Sequence, residues 1–139
     1  LSDMPKDVSE LDPPSPSPAR CFDIGAAIAE ISAQSASRVA LIASSSWSHA
    51  FLNEQTHFLL PDTARDRELF ELLGKKPAAW RDVTLEEVER AGQHEMLNWF
   101  CLAGAVDRLG VGPDWLNLIE TDLFTSNKVF GVFEIAEAN

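Results

Sequence analysis

Apolar residues recur at helical spacing through Ile24, Ala27, Ile28 and Ile31, with Asp23 in the first turn, which predicts a helix over about 21–35. The run at 38–43, RVALIA, is continuous and partly β-branched, as in a strand buried on both faces. Small polar residues follow it, in SSSWSHAF at 44–51. In open α/β sheets the chain leaving a strand's carboxyl end is where ligands bind. A second helix is expected over 62–76, with Leu69, Phe70, Leu72 and Leu73 inward and Gly74 and Pro77 marking its end. Thr84 and Glu87 have capping-box spacing for a short helix to about Ala91, which Gly92 breaks. The wide apolar face of Met96, Leu97, Phe100, Cys101, Gly104 and Val106 predicts a helix over 93–109. Gly104 within it costs about 1 kcal/mol relative to alanine, so a close packing contact is expected there. Strands are expected at 115–120 and 128–135, with Ser126 and Asn127 as a turn between them.

This alternation predicts an α/β fold, a central mostly parallel or mixed sheet flanked by helices. Residues 1–20 differ. Pro5, Pro13, Pro14, Pro16 and Pro18 lie among Ser and Asp, which reads as an extended arm or linker ahead of a domain over 21–139. The chain opens on Leu1, which suggests a piece of something longer.

Composition narrows the function classes. A hydrophobic fraction of 45%, with eight Phe and four Trp, provides a core and excludes a disordered chain. The net charge of −11 argues against a nucleic-acid partner, which would need a basic patch. No run approaches the roughly 18 apolar residues of a membrane span, and no signal peptide opens the chain, so a cytoplasmic protein is expected. Cys21 and Cys101 lack zinc-site spacing and read as small buried hydrophobes.

The candidate chemistry rests on few residues. His49 follows the 38–43 run among small neighbours, and a histidine there suits general acid–base work. It could equally be a helix-start histidine bonded to a nearby carbonyl. Glu95 opens a helix, where the dipole favours an acid. It also lies within a turn of Met96, Asn98 and Trp99, and a carboxylate on an apolar face would need a cation or metal. His49, His57 and Glu95 could in principle form a two-histidine, one-carboxylate site, but no HxD or HExxH spacing accompanies them. The serines at 44–48 lack a nucleophile elbow, and there is no phosphate-binding glycine loop.

The stretch RVALIASSSWSHAFL (38–52), followed by GQHEMLNWFCLAGAVDRLG (92–110), resembles the carboxy-terminal half of class III extradiol ring-cleavage dioxygenases. This is the superfamily of the protocatechuate 4,5-dioxygenase catalytic subunit. The resemblance implies a mononuclear Fe(II) enzyme that opens a catechol-type ring with O₂. His49 matches the family's acid–base histidine and Glu95 its glutamate ligand. Trp47, Ser48 and His57 would lie around the substrate pocket. The family's two histidine ligands belong to an amino-terminal half that has no counterpart in this sequence. A second polypeptide or the other half of the domain is therefore implied, and an oligomer with it. The alternative is a non-catalytic, metal-free binding module of the same fold.

Overall fold

In a computed structural model of the chain, the structure describes residues 15–121 and 123–135. The first helix, α1 (Pro18–Ala33), starts one turn before its predicted position. Ser17 caps it, its Oγ accepting from the Arg20 amide at 3.2 Å, with Pro18 at the first helical position. There proline's missing N–H costs nothing and its fixed φ already suits a helix. Most of the proline-rich arm, residues 1–14, lies outside the described residues.

Helix α1 packs along α4 (Leu97–Leu109) with the two backbones nearly touching. A Cβ on Gly25 would stand 1.8 Å from the Cys101 carbonyl oxygen, and one on Gly104 would stand 2.0 Å from that of Phe22. The close contact expected at Gly104 is therefore present, with Gly25 as its reciprocal. Cys21 is buried and Cys101 half-buried beside it, both free thiols. Burial pushes the Cys21 thiol up to about 11, so it behaves as a small apolar group. The side of α1 that meets α4 carries Cys21, Phe22, Gly25 and Ala29. The isoleucine stripe Ile24, Ile28 and Ile31 faces away and is exposed.

The predicted helices at the centre of the chain form where expected. Asp62 caps α2 (Thr63–Lys75), accepting from the Arg65 amide at 3.0 Å, and Leu69 and Leu73 are buried. The capping box of Thr84 and Glu87 opens α3 (Leu85–Arg90). Before α4, residues His94–Met96 form one tight 3₁₀ turn. The core between these helices is aromatic. Trp47 meets Trp80 and Trp99 edge-on at centroid distances of 5.7 and 5.5 Å, and Trp80 lies 4.8 Å from Phe100. The Trp80 indole N–H is satisfied by the Leu69 carbonyl at 3.0 Å.

Two expectations about strands change. The 38–43 segment has no regular secondary structure and joins no ladder, and Val39, Leu41 and Ile42 are exposed, Ile42 at 83%. A strand buried on both faces needs neighbours at both edges, and the described residues supply none. The sheet that does form is antiparallel, not mostly parallel: β1 (Trp115–Ile119) pairs with β2 (Lys128–Val132), Trp115 opposite Val132 and Ile119 opposite Lys128. Helices with a small sheet make this a partial α/β domain. Ser126 and Asn127 are not the turn of the hairpin. They end the longer connection that joins β1 to β2, and Ser126 pairs with His49 in an isolated antiparallel bridge. Among the described residues, no helix is long and apolar enough to cross a membrane.

Candidate active site

His49 sits where three segments meet. Its amide donates to the Gly92 carbonyl at 2.9 Å on one side, while its bridge to Ser126 holds it on the other. The Ala50 amide extends that second contact, donating to the Thr125 carbonyl at 2.7 Å. Its backbone is extended (φ −105°, ψ 129°) and the chain then enters the 3₁₀ turn Ala50–Leu52. The turn that brings Gly92 close needs a glycine. Its φ is +66°, and a Cβ would stand 2.7 Å from the His49 carbonyl oxygen.

This arrangement brings the His49 Nε2 to 3.1 Å from Oε2 of Glu95, across 46 residues of sequence. The histidine side chain is 10% exposed and the glutamate 56%. His49 also stacks at a tilt on Phe51, with ring centroids 4.8 Å apart. The ring partner of His49 is thus a carboxylate, not a backbone carbonyl, and its Nδ1 is buried without a protein partner. Glu95 does not lie on the apolar face of the helix. It projects from the tight turn ahead of α4 toward solvent, which removes the burial penalty the sequence suggested.

The remaining predicted residues divide. Trp47 and Ser48 are fully buried, so neither side chain reaches the surface on which Glu95 opens. Trp47 is part of the aromatic core. Ser48 is a structural tie, its Oγ donating to the Ala91 carbonyl and accepting from the Asp62 amide at 2.7 Å. His57 is exposed in the left-handed region (φ 53°, ψ 38°), closing the 3₁₀ turn Glu54–Thr56, with no hydrogen bond to either member of the pair.

Several residues of this neighbourhood carry no motif. Asp66, fully buried on α2, accepts from the Ser48 amide, the Gln93 side chain and the Asn127 side chain. Asn98, one turn after Glu95, donates to the Ser44 carbonyl at 2.9 Å and accepts from the Ser45 hydroxyl at 3.4 Å. Lys128 donates to the Ser46 hydroxyl at 2.8 Å and to the Ser126 hydroxyl. The one available signal was helical phase, since Asp66 lies three residues before the core Leu69 and so on the inward face. A histidine and a carboxylate in contact, one shielded and one open, can hold or move a proton and offer an oxygen to a cation. Among the described residues no group of three or more His, Cys, Asp or Glu side chains is placed to hold a metal by itself.

The sequence matches the family described as the catalytic LigB subunit of aromatic ring-opening dioxygenase, over residues 8–132, and the chain belongs to that family. No curated protein and no solved structure matches it.

Proposed function

We propose that this chain supplies the acid–base histidine and one metal-holding carboxylate of a non-haem Fe(II) extradiol dioxygenase acting on a catechol-type ring. The observation that carries this reading is the 3.1 Å approach of the His49 Nε2 to the Glu95 carboxylate. Family membership gives the reaction class, and the pair gives residues suited to it.

The donor set fits an iron site in part. Glu95 is a hard oxygen ligand, exposed enough for its carboxylate to reach an ion and anchored by a short turn. The other protein ligands, two histidines, come from a second segment or polypeptide. The exposed 38–43 segment and the isoleucine stripe of α1 are surfaces for that segment to cover. On this reading the described residues are the carboxy-terminal part of the domain.

Held by Glu95 and those ligands, Fe(II) would supply coordination positions for the diol and for O₂ and carry electrons between them. The protein's own part is proton management. His49 would take the proton of a ring hydroxyl at Nε2 when Glu95 turns from it to the ion, since a carboxylate facing Nε2 accepts its N–H. The nearby Glu95 carboxylate stabilises the resulting imidazolium. Phe51, tilted against the His49 ring at a centroid distance of 4.8 Å, covers part of that ring.

The test is iron content together with oxygen uptake on a panel of catechols, using the protein isolated with any partner chain retained. Bound iron with oxygen consumed and a yellow ring-opened product supports the proposal. Absence of iron after anaerobic Fe(II) loading, with every chain present, would replace it with the metal-free binding module.

A further inference from the structure

A fully buried carboxylate is expensive unless its oxygens are well bonded. Asp66 is such a group: it lies in the first turn of α2, where the helix dipole favours an acid, but it is fully buried and the aromatic core calls for no charge there. Its Oδ1 accepts from the Ser48 amide at 3.2 Å and the Gln93 side-chain amide at 2.7 Å. Its Oδ2 accepts from the same Ser48 amide at 3.3 Å and the Asn127 side-chain amide at 2.8 Å. The three donors come from three different segments. Ser48 precedes His49, Gln93 lies two residues before Glu95, and Asn127 follows Ser126, the bridge partner of His49.

We infer that Asp66 is the positioning residue of the pair, a carboxylate on the rigid helix α2 that sets the His49–Glu95 separation by tying both segments and the Ser126 strand to one point. All the groups that hydrogen-bond it are donors, so an acceptor-only side chain suits the position; a neutral amide would oppose its own N–H₂ to one of them. Burial holds the Asp66 carboxyl above its usual range, with the Asp62 charge adding to the rise and the bonds from Asn127, Gln93 and Ser48 offsetting only part of it. Asp66 touches neither the His49 ring nor Glu95, so it acts through the backbone it holds.

The inference rests on His49 and Glu95 working as a pair, and its test reads that pair without turnover. The His49 ring resonances are recorded at fixed pH in the isolated protein, with and without Glu95→Gln, in the native and Asp66→Asn backgrounds. Glu95→Gln should move the ring signals in the native background, and that movement should be at least halved in folded Asp66→Asn. An equal movement in both backgrounds, or none in the native one, overturns the inference. Leu69→Ala, a core truncation one turn along the same helix, should leave the movement intact.

Turnover gives a second readout. In the folded Asp66→Asn protein kcat should fall on the order of 10- to 100-fold with KM nearly unchanged, as expected when reacting groups are misplaced by about 1 Å. Native kcat in that variant overturns the inference. If Asp66→Asn does not fold, Gln93→Met removes one tie and is read by the same two outcomes of the ring signals. Ring coupling present in the native protein and lost in Asp66→Asn, with no oxygen consumed by the native protein, would support the positioning role while removing the dioxygenase reading.

Discussion

Gly92 hands its carbonyl to the His49 amide at 2.9 Å, and its own α-carbon leaves no room for a side chain against the His49 carbonyl. The glycine therefore fixes how closely the turn leading to Glu95 can approach the histidine. Gly92→Ala combines a left-handed backbone, which costs about 1–2 kcal/mol, with a steric conflict against backbone. Its denaturant midpoint is expected to fall clearly below native. Activity should fall further than the unfolded fraction accounts for, because the strained turn carries Glu95. An unchanged midpoint would show that the turn has another low-energy arrangement.

The capping box at Thr84 predicts a specific acid response. The backbone N–H of Thr84 bonds the Glu87 carboxylate, holding its pKa below the usual range. A lowered folded-state pKa means stability that is present above the unfolded value and lost as pH falls through the folded one. Thr84→Ala, which removes the hydroxyl, should cost about 1 kcal/mol at neutral pH. Glu87→Gln should flatten the loss of stability seen below about pH 4. Urea melts from pH 7 to pH 3 measure both. An acid limb as steep in Glu87→Gln as in the native protein would mean that other carboxylates, such as Asp23 and Glu120, dominate it.

Lys128 lies two residues beyond Ser126, on the same side of its strand by alternation, and bonds the Ser126 hydroxyl beside His49. It brings a cation to the neighbourhood in which the ring would be presented. Lys128→Met is expected to raise KM about tenfold for a catechol carrying a carboxylate, a charge-assisted bond being worth about 1.5–3 kcal/mol. A neutral catechol should be unaffected. Equal effects on both would assign Lys128 to holding Ser46 and Ser126 in place.

Patterns of short range were legible in the sequence. The helices at Asp62 and Thr84 announced themselves through caps, and Gly104 through its cost inside an apolar helix. Pro18 misled in the other direction, since a proline at the first helical position starts a helix as readily as proline elsewhere prevents one. The 38–43 run was read as a buried strand because its composition assumes neighbours, and among the described residues it has none. At the site, resemblance picked out His49 and Glu95, while Asp66, Gln93 and Asn127 carried no local pattern. They meet through three-dimensional closure, Gln93 and Asp66 being 27 positions apart in sequence and Asn127 and Asp66 61 positions apart. Trp47 and Ser48 stood beside His49 in sequence, yet the chain bends at both positions and both side chains are buried.

Iron bound per chain in His49→Ala and Glu95→Ala, each prepared with any partner chain retained, tests the division of roles most directly. The account predicts native iron in His49→Ala with turnover reduced on the order of 100-fold or more, and loss of iron in Glu95→Ala. Stoichiometric iron in Glu95→Ala, or iron lost with His49→Ala, would contradict it.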